Sequence, residues 1–467
     1  MKIAIAGYGL EGRANLEYFR AKFPRAEFTI FDEDESIDTC HYECNEESIE
    51  NRADSSAKSQ NDNNVKFVLG EGALEKIRGF DLVLRSPSIA PYRIPSNNQK
   101  VWSATNEFFA ECPAPIIGVT GTKGKGTTSS FIAEILRATG RTVHLIGNIG
   151  VPALEVLTRI RPNDVVVYEL SSFQLWDMDN SPHIAVMTLI EPDHLDIHTD
   201  FAEYLAAKSR IFQFQKTHDA AIYHENDALV KEMVETATEQ TGAGKIPFLN
   251  KKFVHIKQGK FYYNDSEICA TTAVKLPGEH NLRNAAAAIS AVVAVVSTNS
   301  ASPNITPDLK QAIKTGLANF HGLPHRLKFV REVGGIKFYD DSIATTPGSA
   351  IAAVKSFDEP KILIVGGHDK GADYGGLGET IDRANIRQIL AIGANRQKVA
   401  QQISAKTTKP IRLLDSQNLA EIVQIAYQTA EPGDIVILSP AAASFDMFHD
   451  YQDRGQQFIA AVKDLRK

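Results

Sequence analysis

Cysteine is scarce: Cys40, Cys44, Cys112 and Cys269 are the four in a chain of 467 residues. Thiols so few and so scattered cannot build a disulfide framework, which points to a reducing compartment. Cys40-His41 with Cys44 is followed by no second ligand pair at zinc-site spacing, so we read the grouping as chance. A basic surplus is also missing. The 50 Lys and Arg stand against 57 Asp and Glu, a formal net charge of −7, which leaves no positive field to hold a nucleic-acid backbone. No apolar run reaches the roughly 18 residues that a membrane span needs, and no fixed period of the solenoid kind recurs. The opening Met1-Lys2-Ile3-Ala4-Ile5-Ala6-Gly7 alternates and then turns into glycine, as a first strand does and a signal peptide does not. The absences together predict a cytoplasmic protein with neither nucleic acid nor membrane as partner; a monomer is expected, though no residue pattern speaks to it.

What is present is ordinary globular composition, 43% hydrophobic and 23% charged, on a chain too long for one core. Three domains are expected, all α/β. Lys2 to Ala6 reads as a strand that runs into Gly7-Tyr8-Gly9-Leu10-Glu11-Gly12, a helix to Phe23 and a second strand Phe28 to Phe31 ending at Asp32, the start of a Rossmann-like nucleotide-binding fold. Glu33 to Asn64 turns polar and acidic and reads as an irregular insertion. Pro113-Ala114-Pro115 marks a join, so the first domain is placed at residues 1–112. Short β-branched runs at Ile116 to Val119, Val165 to Tyr168, Ile184 to Leu189 and Ala220 to Tyr223 predict a second, mostly parallel sheet with crossover helices in residues 113–321. An alanine-rich helix at Asn284 to Val296 closes that part. Strands at Ile336 to Tyr339, Ile362 to Val365, Gln388 to Ile392 and Asp434 to Leu438 predict a second Rossmann-like unit in residues 322–467.

Thr120-Gly121-Thr122-Lys123-Gly124-Lys125 joins a buried strand to a helix. Phosphate oxygens need inward-pointing backbone N–H groups, a lysine charge and a helix start, and small residues let the backbone approach. The segment supplies all of these, so a P-loop-type ATPase domain is expected. It departs from the generic loop pattern twice: Val119 stands at the first glycine and Gly126 at the hydroxyl after the lysine. A magnesium-binding hydroxyl must then come from Thr127 or Thr128, or be replaced by water. By itself the Gly7-x-Gly9-x-x-Gly12 turn with Asp32 would suggest NAD, on weak grounds. Asp193-His194-Leu195-Asp196-Ile197-His198 could equally be a metallohydrolase site, a structural hydrogen-bond cluster or a magnesium ligand.

The loop resembles the ATP loop of the Mur ligases, and Tyr168-Glu169-Leu170-Ser171-Ser172-Phe173-Gln174-Leu175 is similar to the branch that adds D-glutamate to UDP-N-acetylmuramoyl-L-alanine. Gly147-Asn148-Ile149-Gly150, Pro192-Asp193-His194, Ala206-Ala207-Lys208, Glu279-His280-Asn281 with Asn284, and Gly322-Leu323-Pro324-His325-Arg326 continue the likeness. So do Asp340-Asp341-Ser342, Ala344-Thr345, Lys370-Gly371-Ala372-Asp373 and Leu438-Ser439-Pro440-Ala441 with Ser444. The matches run in family order from Gly7 to Gly455. The resemblance implies an N-terminal domain for the UDP moiety, a central ATPase domain and a C-terminal domain for the amino acid. It also implies ATP, two Mg2+ sites and an acyl-phosphate intermediate that the D-glutamate amine attacks.

Position by position, the likeness makes Lys125 the cation on the β/γ-phosphates, with Thr122, Lys123, Gly124, Gly126, Thr127 and Thr128 around them. Asn281, Asn284, Arg326 and Asp341 would hold the rest of the nucleotide. Glu169 and His194 would be metal ligands, with Thr127, and Lys208 would join them as a carbamylated lysine; on spacing alone Lys208 would be a solvated surface charge. Gly9, Leu10, Gly12, Asp32 and Ser86 would face the UDP part. Asn148, Ser171 and Gln174 would touch the substrate, and Thr345, Lys370, Ser444 and Tyr451 the carboxylates of D-glutamate. The sequence departs from the family at Ile343, where a lysine is usual, at Leu189 for asparagine and at Ser88 for glycine. Lys123 is an extra cation in the loop and is expected to compensate for Ile343.

Overall fold

The computed structural model describes residues 1–37, 65–95, 99–147, 152–195, 197–296, 305–369 and 371–466. Asn148 and Lys370, with Asp196, Cys40, His41, Cys44 and most of the acidic insertion, therefore lie outside the described residues. The chain divides into two compact units, one of Met1–Val274 with His280–Phe320 and one of Lys275–Glu279 with His321–Lys467.

In the first unit, strands β1 (Lys2–Ala6), β2 (Glu27–Asp32), β3 (Val65–Leu69), β4 (Leu82–Arg85) and β5 (Lys100–Ser103) form a parallel sheet of order β3-β2-β1-β4-β5. This is the doubly wound arrangement, whose order reverses beside β1 and so opens a crevice at the strands' carboxyl ends. The helix Leu10–Lys22 begins there, directly after Gly9. Gly7 is in the left-handed region (φ 88°), and a Cβ on Gly12 would lie 2.1 Å from the Gly7 carbonyl oxygen. Glycine is thus required at both positions for the turn to close.

A second parallel sheet of the same unit contains β6 (Ile116–Thr120), β7 (Val143–Gly147), β8 (Val165–Glu169), β9 (Ile184–Met187), β10 (Ala220–His224) and β11 (Gly244–Phe248), in the order β11-β10-β9-β6-β8-β7. β6, β8 and β9 are buried at every residue, which is why they read as continuous apolar runs and not as alternating ones. A three-stranded antiparallel meander follows, β12 (Val254–Lys257), β13 (Lys260–Tyr263) and β14 (Ser266–Ala270). Sequence reading missed it: its strands are only four or five residues long and separated by short polar turns. The alanine-rich helix runs over Glu279–Val296. It starts five residues before the expected Asn284, since Gly278 (φ 93°) makes the turn and the polar Glu279-His280-Asn281 forms the first helical turn.

The second unit has β15 (Lys328–Val333), β16 (Ile336–Asp340), β17 (Lys361–Val365), β18 (Ile386–Ala391), β19 (Ile411–Leu413) and β20 (Ile435–Leu438), in the order β15-β16-β20-β17-β18-β19. β15 pairs antiparallel with β16, and the remaining pairings are parallel. Apolar side chains fill both faces of this sheet. No described helix is long and apolar enough to cross a membrane.

Candidate functional site

β6 ends at Thr120, and the chain passes through Gly121 (φ 143°) and Gly124 (φ 88°) into the helix Lys125–Ala138. Both glycines are packed closely. A Cβ on Gly121 would meet Thr188 Oγ1 at 1.9 Å, and one on Gly124 would meet Asn284 Oδ1 at 2.4 Å. Thr188 Oγ1 lies 3.1 Å from the Thr120 carbonyl and 2.7 Å from that of Lys123. Thr122 Oγ1 accepts from the Glu191 N–H (3.0 Å), donates to the Glu191 carbonyl (2.9 Å) and lies 2.7 Å from the Tyr204 hydroxyl. The loop is therefore braced from the segment after β9 and from the helix Phe201–Gln213, and its shape is set before any ligand arrives.

Lys125 folds back over this loop, its Nζ 3.1 Å from both the Gly121 and Thr122 carbonyls. Lys123 leaves in another direction: its exposed ammonium pairs with Glu191 at 2.5 Å. Gly126 is buried in the first helical turn, Thr128 is fully enclosed, and Thr127 keeps 7% exposure. Of the two threonines, Thr127 is the one a ligand outside the helix can reach.

Lys208 shows the sharpest difference between a reading on spacing alone and its place in the structure. Only 1% exposed, it projects from the helix Phe201–Gln213 so that Nζ lies 2.9 Å from the Gly121 carbonyl and 3.3 Å from Thr120 Oγ1. The Tyr204 ring lies 4.8 Å from that nitrogen. Burial, with the Lys125 charge adding to it, pushes the Lys208 ammonium well below the usual lysine range, against the smaller opposing pull of Asp193 and Glu169. The buried site thus favours the uncharged amine more than an exposed lysine would. The reading as a solvated surface charge is thereby overturned, because the helix turns this residue inward beneath the loop.

Glu169, 3% exposed, ends β8, where it stands beside Val119 of β6 and Gly147 of β7. Ser171 and Gln174 follow as the two halves of a capping box on the short helix Ser172–Leu175. His194 has a left-handed backbone (φ 54°), and its ring lies 4.9 Å from that of Phe173. His198 is enclosed by Phe173, Trp176 and Tyr204, with Nε2 3.0 Å from Ser172 Oγ. Burial lowers the His198 pKa, so the ring is held neutral and acts as a hydrogen-bonding wedge. Asn284 Nδ2 contacts Asn281 Oδ1 at 3.4 Å.

Among the described residues no group of three or more His, Cys, Asp or Glu could hold a metal unaided. Magnesium retains waters and is commonly held by one or two carboxylates together with substrate phosphates. A buried carboxylate, Glu169, on the strand next to the glycine loop is the donor set such an ion needs.

The remaining expected residues fall elsewhere. Gly9, Leu10, Gly12, Asp32 and Ser86 gather at the carboxyl ends of β1, β2 and β4. Asp32 Oδ2 accepts from the Tyr8 N–H at 2.6 Å, and Ser86 Oγ donates to the Gly7 carbonyl at 2.9 Å. In the second unit, Asp341 accepts from Ser439 Oγ (2.7 Å) and from the Leu327 N–H (3.0 Å); burial raises its pKa to about 7. Arg326 is exposed nearby and opposes that rise. Thr345 is half-buried and its N–H donates to the Ile343 carbonyl. The buried Ser444 lies in the segment bound by Arg454, which is fully buried, and Tyr451 begins the helix Tyr451–Asp464 that carries this arginine. Its guanidinium reaches Ser342 Oγ (2.9 Å), the Ser342 carbonyl (2.8 Å) and the carbonyls of Ala442 and Ala443 (3.1 and 3.3 Å), while Ser342 Oγ donates to the Tyr451 carbonyl.

Sequence reading missed Tyr204, Thr188, Glu191 and Arg454. Tyr204 had a signal, lying one turn before Lys208 on the same helix face; the others are set by tertiary contacts alone.

Comparison with known proteins places this geometry in context. The Mur ligase middle domain family matches residues 119–292, and the Mur ligase glutamate ligase domain family matches residues 325–442. The UDP-N-acetylmuramoylalanine–D-glutamate ligase of Clostridium tetani is 34% identical over 99% of this chain and 97% of its own length. That of Caldanaerobacter subterraneus is 37% identical over 86% and 88%. Among solved structures, the MurF ligase of Thermotoga maritima in complex with ADP superposes with a TM-score of 0.52 at 18% identity, over 82% of this chain and 88% of that one. Escherichia coli FolC, with ADP, gives 0.57 at 18% identity over 77% and 92%. These two likenesses are of fold.

Proposed function

Because this chain belongs to the Mur ligase family, we propose that it is the ATP-dependent ligase that joins D-glutamate to UDP-N-acetylmuramoyl-L-alanine in cytoplasmic peptidoglycan precursor synthesis. The observation that carries the reading is the meeting of Lys125 and Lys208 on one braced glycine loop, with buried Glu169 ending the strand beside it. Residues 1–112 take the UDP part, residues 113–321 the ATP and residues 322–467 the amino acid.

A carboxylate oxygen is a poor leaving group until it is phosphorylated. The γ-phosphoryl of ATP passes to the substrate's terminal carboxylate, ADP departs, and the D-glutamate amine attacks the acyl carbon. Collapse of the tetrahedral adduct breaks the bond to the phosphate oxygen, giving the amide and inorganic phosphate. Transfer of this kind leaves the protein mainly positioning and charge neutralisation to perform. Lys125, released from the Gly121 and Thr122 carbonyls, follows the γ-phosphate, while the loop N–H groups and the start of helix Lys125–Ala138 hold the β-phosphate. Asn284, seated against Gly124, fixes the loop's edge.

Magnesium bound here would neutralise the phosphate oxygens; Glu169, Thr127, His194 and Lys208 are the residues to hold it, at two positions. For Lys208 this requires carbamylation, and the neutral amine is the form that adds to carbon dioxide. Arg326 and Asp341 act on the nucleotide. Thr345, Lys370, Ser444 and Tyr451 hold the amino acid's carboxylates, and Asn148, Ser171 and Gln174 the acceptor.

Phosphate release in the presence of ATP, magnesium and UDP-N-acetylmuramoyl-L-alanine, with D-glutamate, L-glutamate, L-alanine or diaminopimelate added in turn, tests the reading. D-glutamate should stimulate release most strongly. Release indifferent to the amino acid would reject it.

A further inference from the structure

The first βα turn contains a residue whose charge is of the wrong sign for a phosphate site. Glu11 is in the first turn of helix Leu10–Lys22, between the expected diphosphate contacts Leu10 and Gly12. Above Gly9 there is open space, with no atom within 4 Å of where a Cβ would stand, so an anion can approach the backbone at this point. Glu11 is half-buried and hydrogen-bonded to Gln174. The Gln174 carbonyl oxygen already accepts from the Ser171 N–H at 3.0 Å, so its amide nitrogen is the group left to face Glu11.

Arg85, at the end of β4, could have neutralised this carboxylate. Its guanidinium is instead held by Asp177 in a bidentate pair, Nε to Oδ2 at 2.7 Å and NH2 to Oδ1 at 2.6 Å, and it also donates to the Phe173 and Ile89 carbonyls. Tyr168, from β8, faces Glu11 as well; burial, with the Glu11 charge adding to it, raises its phenol pKa well above the usual range. Burial raises the Glu11 pKa to about 7, with Arg85 and the Gln174 hydrogen bond pulling the other way. The carboxyl is therefore poised between its two forms near neutral pH.

We propose that Glu11 is a positioning residue for the diphosphate of the substrate, which it holds in its protonated form by donating a hydrogen bond while Gln174 keeps its other oxygen fixed. This rests on the UDP-binding role given above to residues 1–112. An ionised Glu11 repels the diphosphate, so binding draws a proton from solvent onto the carboxylate, with no other bond made or broken. The sign follows: below pH 7 the proton is already present, and above it each added pH unit weakens binding by up to about tenfold, one proton being taken up per ligand.

The test is calorimetric titration of the full chain with UDP-N-acetylmuramoyl-L-alanine at pH 8, in buffers of different ionisation enthalpy. The natural protein should take up close to one proton per ligand bound. Glu11→Gln, which is neutral at every pH, should take up none and should lose the weakening between pH 7 and 8.5. Glu11→Asp, with the same charge on a shorter arm, should keep the pH dependence and bind more weakly. Circular dichroism checks that each variant is folded. Binding without proton uptake, or equal uptake by the natural protein and Glu11→Gln, overturns the proposal and leaves the function reading standing. No binding of the UDP ligand by the natural protein overturns both.

Discussion

The two strand-to-helix turns of the first unit share a design and carry opposite charges. After β1 the chain turns through Gly7, Gly9 and Gly12 into a helix, and Glu11 stands in its first turn. After β6 it turns through Gly121 and Gly124 into a helix that begins with Lys125, with Lys208 buried beneath. Backbone amides and a helix start suffice to hold an anion. A lysine is needed where the anion reacts, because charge on a γ-phosphate is redistributed during transfer. The UDP diphosphate does not react, and a group that only holds it can be an acid carrying a proton.

Lys125→Ala should break that contrast with the largest effect. By removing the mobile cation it should lower kcat roughly a thousandfold while substrate affinity at the first turn is unchanged, as seen by steady-state kinetics beside calorimetry. Lys208 comes next. Its depressed pKa leaves the amine neutral at lower pH than an exposed lysine, so carbon-13 bicarbonate should give a carbamate signal near neutral pH that is lost on acidification through the folded-state pKa. Lys208→Ala should abolish the signal and lower kcat about a hundredfold; a retained signal would assign the carbamate to another residue. Lys123→Ala should do least. The exposed pair with Glu191 contributes about 0.2–1 kcal/mol to stability, and the ATP KM should change less than about threefold, a size to be read from thermal unfolding and initial rates.

Much of this was legible in the chain. Strands such as Val165–Glu169 are buried on both faces, and glycine turns announce themselves through residue type. The site residues on motifs were legible for the same reason: Gly124 is forced by its positive φ and by Asn284. What stayed hidden depends on contacts distant in sequence. Lys208 looks like a surface charge until the helix is seen to turn it beneath Gly121, 87 residues away in sequence. Lys123 looks like a second phosphate cation until Glu191, 68 residues on, is found paired with it. Glu11 stands in a helix's first turn, and its partner Gln174 comes from the short helix that follows β8 of the other sheet. The meander Val254–Ala270 was overlooked because each of its strands is too short, at four or five residues, for its alternation to stand out.

Acyl-phosphate chemistry at the Lys125, Lys208 and Glu169 cluster is the central claim, and oxygen labelling reaches it directly. UDP-N-acetylmuramoyl-L-alanine carrying oxygen-18 in its terminal carboxylate, turned over with ATP and D-glutamate, should release phosphate containing one labelled oxygen per amide formed. Unlabelled phosphate alongside amide formation would contradict the account.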